Sequence, residues 1–368
     1  MPRRASHRSS NVSLGSMSAA LVIIVLVFLY RSCSGTGSLP APVSATVIAE
    51  DAPEWYSVYF TAPNDPASKS LRGGPDAALA AAINRARLSL DVAIYELDLW
   101  SIRDALLEAH RRGVSVRMVS ESDNLDGAEI QELKEAGIPI LGDRRESLMH
   151  NKFVVIDRQE VWMGSMNYTV SEAYRNNNNL VRIRSAQLAE NYTREFEEMF
   201  TEDLFGTSIR RDTPHPTLSV DGTRLEVYFS PDDGTAAHLI DLLGRAQESI
   251  FFLAFSFTSD ALASAMLERA EAGVTVAGIF EETQYFSNTG TEYERFRSAG
   301  LDVRLDGNPR NLHHKVIIID GRIVVTGSYN FSSNAENRND ENTLVIHNPD
   351  IAGLFVAEFK RLFTQSKK

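Results

Sequence analysis

The clearest pattern along the chain is an apolar, strand-like run that follows two alternating polar residues, and it occurs twice. Residues 148–167 read LMHNKFVVIDRQEVWMGSMN, and residues 312–330 read LHHKVIIIDGRIVVTGSYN. In each copy a short polar stretch separates two apolar runs, and the Asp-Gly pair of the second copy is a strong hairpin signal. The pattern therefore predicts a β-hairpin in each half of the chain, with strands at 152–156 and 160–163 in the first.

Strand geometry decides which side chains of the motif lie together. Because successive side chains of a strand point to opposite faces, His150 and Lys152 share one face of their strand. His313 and Lys315 do the same in the second copy, whereas His314 points away. A single His and Lys on a strand would usually be solvated surface, but the duplication of the pair in the same register favours an active site.

The rest of each half alternates between strand-like and helix-like patterns. In the first half the predicted strands are 58–60, 88–95, 114–119 and 138–141, and the predicted helices are 76–87, 101–113, 126–136 and 186–200. In the second half the predicted strands are 227–229, 250–257 and 274–280, and the predicted helices are 236–247, 259–273 and 351–363. The stretch 101–104 matches a capping box, and Gly113 marks the end of that helix. Such alternation predicts, in each half, a mixed sheet with helices on both faces.

The length of the chain fits two similar lobes. It has 368 residues, of which 43% are apolar and 23% charged, an ordinary globular composition. The motif residues of the second half follow those of the first at a constant spacing of 163 positions, as from His150 to His313. The expected organisation is a basic segment at 1–13, an anchor at 14–31, a flexible linker at 32–53, lobe 1 at 54–205, an inter-lobe linker at 206–222 and lobe 2 at 223–368.

The paired motifs resemble the signature of the phospholipase D superfamily, HxKxxxxD followed by GSxN. The matching residues are His150, Lys152, Asp157, His313, Lys315 and Asp320 in the first part, and Ser165, Asn167, Ser328 and Asn330 in the second. One such motif would be weak evidence because short motifs recur by chance, but two in the same register are strong. The resemblance implies an α/β, duplicated phospholipase D-like fold: two mixed β-sheet lobes flanked by helices, with one active site at their interface.

The same resemblance implies a metal-independent phosphodiesterase that works through a phosphohistidine. Transfer of a phosphodiester needs a nucleophile, an acid for the leaving oxygen and donors for the non-bridging oxygens. In the family the N-terminal His is usually the nucleophile, which here is His150; His313 is then the acid, and later the base on water. The phosphoryl oxygens would be held by Lys152, Lys315, Asn167 and Asn330. No metal site and no cofactor are expected, because the chain has one Cys and its eight His show no ligand spacing.

Two kinds of motif residue have open roles. Asp157 and Asp320 belong to the catalytic motif, but their position at hairpin ends favours a turn-stabilising or buried ion-pair role over contact with substrate. Ser165 and Ser328 fit equally well a contact with the phosphate-binding network and a purely local role in the tight turn after glycine.

Glu341 is the last candidate near the substrate. The family often carries an acidic residue after GSxN that hydrogen-bonds a catalytic His, and Glu341 has that place in the second half, whereas Asn178 stands there in the first. If Glu341 crosses to support His150, the asymmetry agrees with His150 as the nucleophile. The support of His313 is then left open.

Charge and the N-terminal sequence bear on location and partners. The formal net charge of -12 does not predict broad nucleic-acid affinity, although it leaves room for a local basic pocket. Residues 14–30, LGSMSAALVIIVLVFLY, are the only long apolar run and follow a basic N-terminus. This favours an uncleaved signal anchor over a cleaved signal, with the catalytic lobes outside the cytoplasm; cleavage would give a secreted protein.

These features favour a membrane-tethered phosphodiesterase that hydrolyses phospholipid to phosphatidate and a head group. An endonuclease of the same superfamily, acting on DNA or RNA, is the alternative. A non-catalytic scaffold that binds phosphorylated ligands is disfavoured because no motif residue is missing. Fold and motif do not separate these substrates. One chain supplies both motifs, so a monomer is sufficient for the active site.

Overall fold

The computed structural model describes residues 54–208 and 210–367. Within these ranges the strands form two sheets, one from each half of the sequence. The predicted anchor at 14–31 lies outside the described residues. Among the helices found between residues 54 and 367, none combines the length and the apolar character that a membrane span requires.

The first lobe is a mixed sheet covered by helices. Its strands are β1 (Tyr56–Phe60), β2 (Ser89–Ile94), β3 (Ser115–Ser120), β4 (Ile140–Gly142), β5 (Lys152–Ile156), β6 (Glu160–Gly164) and β7 (Asn179–Arg184). Its helices are α1 (Pro75–Arg85), α2 (Trp100–Arg111), α3 (Ala128–Glu135), α4 (Val170–Tyr174) and α5 (Ala186–Phe200). The strand order is β1-β7-β6-β5-β2-β3-β4. Parallel pairing of β2, β3 and β4 and antiparallel pairing elsewhere confirm the predicted mixed sheet.

The second lobe repeats this plan with one more strand at its edge. Its strands are β8 (Thr217–Val220), β9 (Thr223–Ser230), β10 (Ser249–Ala254), β11 (Thr275–Phe280), β12 (Asp302–Leu305), β13 (Lys315–Ile319), β14 (Ile323–Gly327) and β15 (Glu341–His347). Its helices are α6 (Thr235–Gly244), α7 (Asp260–Glu271), α8 (Glu282–Ser287), α9 (Tyr293–Ser298), α10 (Ser333–Asn337) and α11 (Pro349–Gln365). The order is β12-β11-β10-β13-β14-β15-β9-β8. Strand β8 falls inside the expected linker 206–222, because Leu218 is buried and the strand pairs with β9.

The predicted capping box at 101–104 is wrong. Helix α2 begins at Trp100, and no side chain caps it. The Ser101 hydroxyl instead donates to Oδ2 of the buried Asp76 on α1, at 2.6 Å. A capping serine must precede the helix and accept from a backbone N–H, whereas Ser101 lies inside the first turn and its hydroxyl donates to Asp76. Gly113 does end the helical segment as predicted, with a φ of +87° that suits glycine.

Both hairpins form as predicted, and their turns explain two of the motif residues. Asp157 and Asp320 adopt left-handed backbone conformations, with φ of 52° and 53°. The Asp157 carboxylate accepts hydrogen bonds from the backbone N–H groups of Arg87, Leu88 and Ser89. The Asp320 carboxylate does the same for Gln247, Glu248 and Ser249. Each aspartate therefore fixes the hairpin against the start of the neighbouring strand, at the far end of its own strand from the histidine.

A shared apolar core joins the two lobes. It contains side chains of both sheets together with the buried faces of α5 and α11. Phe60 of the first sheet meets Phe355 of α11 edge to face at 5.1 Å, and Tyr192 of α5 meets Phe229 of the second sheet in the same way at 5.1 Å. Each contact of this kind adds about 0.5–1.5 kcal/mol beyond the burial of area. The lobes are therefore fixed relative to each other by packing that is itself repeated.

Candidate active site

Each histidine segment is built against the opposite lobe. The backbone N–H of His150 donates to the carbonyl of Asp340 at 3.0 Å, and that of His313 donates to the carbonyl of Asn177 at 2.9 Å. Asp340 and Asn177 occupy matching positions in the two repeats. Each histidine segment is thus held by a backbone hydrogen bond to the other lobe, which brings both motifs to the same interface.

Glu341 crosses the interface to His150, which is one of the arrangements that the sequence left open. Its Oε2 lies 2.8 Å from Nδ1 of the His150 ring. The same carboxylate accepts from Ser328 Oγ at 2.6 Å and from Asn339 Nδ2 at 3.2 Å. Glu341 is fully buried behind the ring. The carboxylate therefore holds the His150 ring, and its assignment among the substrate-binding residues stays a prediction.

His313 has an acidic partner that the sequence analysis missed. Nδ1 of His313 lies 3.1 Å from Asn178 Oδ1 and 3.2 Å from Glu172 Oε2. Glu172 lies on α4, and the residue at the matching place on α10 is Ala335. The acidic residue therefore stands at a different position in each repeat. Lobe 1 carries Glu172 and Asn178, whereas lobe 2 carries Ala335 and Glu341 at the matching places. Comparison of the repeats six residues before Asn178 would have revealed it.

The histidine contacts define which ring nitrogen is free to react. In both rings Nδ1 faces a carboxylate of the opposite lobe. When Nδ1–H donates to that carboxylate, Nε2 holds the lone pair and can act as a nucleophile or a base. The same hydrogen bond stabilises the protonated ring, in which Nε2 can act as an acid.

The two motif lysines are buried beside the histidines. Lys152 Nζ donates to the carbonyl of His150 at 2.6 Å, and Lys315 Nζ donates to that of His313 at 2.8 Å. The Lys152 ammonium stands 5.2 Å from the centre of the Tyr95 ring, and the Lys315 ammonium 4.6 Å from that of Phe255. These rings come from matching positions after β2 and β10, and they orient the ammonium groups while keeping water away.

The GSxN segments complete the site. Ser165 Oγ donates to Asn178 Oδ1 at 2.9 Å, just as Ser328 Oγ donates to Glu341, so both serines position the residues that hold the histidines. Asn167 Oδ1 and Asn330 Oδ1 are buried without a hydrogen-bonding partner among the described residues. Buried polar atoms rarely lack a partner. An amide oxygen accepts, so each of these atoms needs a donor such as water or a hydroxyl group.

The glycine of each GSxN is required by close backbone contact. A Cβ on Gly164 would lie 2.4 Å from the carbonyl oxygen of Asn179, and one on Gly327 would lie 2.1 Å from that of Asn342. Both distances are shorter than any real contact of a Cβ. Glycine therefore allows the hairpin strand to approach the segment that crosses to the other lobe.

Burial and mutual repulsion shift the protonation of the cationic groups. Burial, with Lys152 and Lys315 nearby, holds the pKa of His150 well below its ordinary value. Burial lowers the pKa of His313 to about 4, although Glu172 opposes the shift. Burial likewise lowers the pKa of Lys152 to about 7, against the effect of Glu341. In the free site at neutral pH both histidines are therefore neutral and Lys152 is only partly protonated. A bound anion would raise all of these pKa values.

The supporting carboxylates differ from each other. Burial raises the pKa of Glu341 to about 7, although Lys152 lowers it. Burial also acts to raise the pKa of Glu172, but His313 and its hydrogen bond outweigh this effect and bring the value to about 2. Glu172 is thus firmly ionised beside His313, where a proton donor is needed, while Glu341 changes charge near neutral pH.

Comparison with known proteins agrees with this site. A family model described as "Cardiolipin synthase, PLD-like domain" matches residues 79–200 and 239–363, which together exceed half of the chain and include both motifs. This chain is a member of the phospholipase D superfamily. The duplicated fold implied by the motifs is confirmed.

The relatives agree on the family but cover part of the chain. A mitochondrial cardiolipin hydrolase of Chlamydomonas reinhardtii is 32% identical over 144 residues, which are 39% of this chain and 64% of that protein. A phospholipase D of Rickettsia bellii is 30% identical over 134 residues, 36% of this chain and 66% of that protein. Each match spans less than two thirds of the relative. The crystal structure of phosphatidylserine synthase from Haemophilus influenzae has a TM-score of 0.63 and 16% identity over 84% of this chain and 87% of that chain, a likeness of fold.

Proposed function

We propose that this protein is a phosphodiesterase of the phospholipase D type, which hydrolyses phospholipid to phosphatidate and a free head group through a phosphohistidine. The observation that carries the proposal is the reciprocal arrangement of the site. Two imidazoles, each held at Nδ1 by a carboxylate of the other lobe, converge with two buried ammonium groups. This supplies a nucleophile, a proton donor and fixed positive charge for one phosphodiester.

The reaction proceeds in two displacements. In the first, Nε2 of His150 attacks phosphorus, the bond from phosphorus to the leaving oxygen breaks, and the proton on Nε2 of His313 moves to that oxygen. In the second, His313 takes a proton from water, the resulting hydroxide attacks phosphorus, and the bond to Nε2 of His150 breaks. Lys152 and Lys315 hold the non-bridging oxygens throughout, with Asn167 and Asn330.

The site reaches its reactive protonation state only when the substrate binds. His150 is neutral at pH 7 and suited to attack, but His313 must carry a proton before it can act as an acid. The negative charge of a bound phosphodiester raises the pKa of His313, and the ionised Glu172 at 3.2 Å assists. Proton binding and phosphate binding therefore support each other.

Substrate assays on the wild type and on His150→Ala test the proposal. The purified full-length protein is offered vesicles of phosphatidylcholine, phosphatidylethanolamine or phosphatidylglycerol and, in parallel, single- and double-stranded DNA and RNA. Release of head group that disappears in the variant is the expected result. Cleavage of nucleic acid alone, lost in the same variant, would refute the lipid assignment in favour of a nuclease.

We also propose that residues 14–31 anchor the protein in a membrane with both lobes outside the cytoplasm. The support is the apolar run itself and the basic residues before it. Protease added to intact cells should digest the lobes and leave the N-terminal segment. Complete protection of the lobes would contradict this orientation.

A further inference from the structure

The two lobes are joined beside the histidine motifs by two side-chain contacts of different chemistry. Next to the first motif, Arg145 Nη2 donates to Oδ2 of the fully buried Asp340 at 2.5 Å. Next to the second motif, the matching positions of the repeat carry Asn308 and Asn177, and Asn308 Nδ2 donates to Asn177 Oδ1 at 2.8 Å. We call the first pair the charged clasp and the second pair the amide clasp.

The charged clasp is fixed at more points than the amide clasp. The other carboxylate oxygen of Asp340 accepts from the backbone N–H of Gly206. The Arg145 guanidinium also lies 5.3 Å from the centre of the Phe205 ring. In the amide clasp, by contrast, Asn177 Nδ2 is buried without a hydrogen-bonding partner among the described residues. Because hydrogen bonds between ionised groups are shorter and stronger than neutral ones, Asp340 is held more firmly than Asn177.

Asp340 is also the residue that sets the backbone of His150. The backbone N–H of His150 donates to the carbonyl of Asp340 at 3.0 Å, and the N–H of Asp340 donates to the carbonyl of Leu148 at 2.9 Å. The next residue along the chain, Glu341, places its Oε2 2.8 Å from Nδ1 of the His150 ring. A displacement of Asp340 would therefore move the backbone and the ring of His150 together.

We propose that Arg145 and Asp340 are positioning residues that aim Nε2 of His150 at the phosphorus atom. This inference rests on the proposed function, in which His150 is the nucleophile. Attack on phosphorus is roughly in line with the bond that breaks, and a misplacement of about 1 Å can cost roughly 100-fold in rate. The firmer clasp thus holds the histidine that forms the covalent bond, and the amide clasp holds the histidine that transfers protons.

Two substrates that differ in their leaving group test this role. The full-length protein is offered a phospholipid with an alkyl head group and the p-nitrophenyl ester of the same phosphatidyl group, in single turnovers at pH 8. Burial raises the pKa of Asp340 to about 7, although Arg145 lowers it, so the carboxylate is mostly ionised at this pH. Arg145→Asn and Asp340→Asn should each slow both reactions roughly tenfold at saturating substrate, and leave the half-saturating concentration nearly unchanged.

Matched variants separate positioning from general destabilisation. Arg145→Lys keeps the charge and should retain most of the activity. The double variant Arg145→Asn/Asp340→Asn carries the two residue types of the amide clasp and leaves no unpaired charge in the interface. It should be slowed by less than the product of the two single effects, and alike on both leaving groups. Asn308→Ala changes the amide clasp and should slow the alkyl substrate more than the p-nitrophenyl ester, because it acts through His313.

Two results would overturn the proposal. One is wild-type rates on both substrates in the folded single variants, even at a lowered free energy of unfolding, since the charged clasp would then be only structural. The other is a loss confined to the alkyl head group. If neither single variant folds, the double variant decides: an equal slowing on both leaving groups supports the role, and a wild-type rate or a selective loss contradicts it.

Failure of the proposed function is distinguishable from failure of the charged clasp. If the wild type cleaves nucleic acid and no lipid, the lipid assignment fails, and the same comparison is made with alkyl and p-nitrophenyl esters of thymidine 5′-phosphate. If the wild type hydrolyses no phosphodiester, the clasp is judged by NMR of the full-length protein labelled with ¹⁵N at histidine. The double variant should then move the Nδ1 resonance of His150, assigned by its absence in His150→Ala, and leave that of His313 in place. An unmoved His150 resonance, or an equal shift of both, would contradict the clasp.

Discussion

Replacement of Glu172 by Gln should impair the protonation of the leaving group more than the attack on phosphorus. The pKa of Glu172 lies near 2, against an ordinary 4.5, which corresponds to roughly 3 kcal/mol of preference for the ionised form. His313 is the largest of the contacts that lower it, followed by Asn178 and Lys315. If about half of that preference depends on protonated His313, loss of the charge should slow the acid-dependent step roughly tenfold.

The assay compares two leaving groups in a single turnover. A lipid with an alkyl head group needs its proton from His313, whereas a p-nitrophenyl ester leaves as a stable anion. Glu172→Gln should slow the release of the alkyl head group roughly tenfold and change the burst of p-nitrophenolate by less than about threefold. Glu341→Gln is the matched control, because it acts on His150 and should slow both substrates alike. An equal loss on both substrates in Glu172→Gln would refute a role through His313.

The other predictions concern pH, ligand binding and stability. Because burial raises the pKa of Glu341 to about 7 and the reaction needs its ionised form, kcat/KM should fall as pH drops below 7, and Glu341→Gln should abolish this limb of the pH profile. Burial lowers the pKa values of His313 and Lys152 to about 4 and about 7. The protein should therefore take up protons when it binds inorganic phosphate, and binding should tighten as pH falls. Calorimetry in two buffers of different ionisation enthalpy measures this uptake, and proton release would contradict the prediction. Asp320→Ala should lower the free energy of unfolding by about 2 kcal/mol, as expected for lost hydrogen bonds to a charged group, with kcat of the folded protein nearly unchanged. A large drop in kcat at full stability would show that Asp320 acts on substrate after all.

The sequence predicted the parts of the fold that depend on local pattern. The two hairpins, the closing helix at 186–200 and the mixed sheets follow from alternation, turn residues and helical periodicity. Tertiary contacts overrode local signals elsewhere. Ser101 donates to the buried Asp76 and does not cap its helix. Leu218 belongs to a strand of the second sheet, in a stretch that was expected to be a linker.

The catalytic core was predictable because the duplication identifies it, while its supporting residues were less so. The sequence suggested the contact of Glu341 with His150, because Glu341 is acidic whereas its counterpart in the first repeat, Asn178, is not. Glu172 was missed because it lies on a short helix. It stands six residues before Asn178, the position at which the second repeat has its acidic residue, Glu341. Phe255 was also missed as a neighbour of the site, although its ring lies 4.6 Å from that of His313. Its place could not be read from strand periodicity alone, since it follows β10, where alternation no longer applies.

The most direct test of the account is the identity of the phosphorylated residue. His313→Ala is mixed with a phosphodiester that has a p-nitrophenyl leaving group, quenched rapidly in alkali and analysed by mass spectrometry. The account predicts a phosphoryl adduct on His150 that accumulates because the base for its hydrolysis is missing, and no adduct in His150→Ala. An adduct confined to another residue of the wild-type protein, or normal turnover by His150→Ala, would contradict the mechanism.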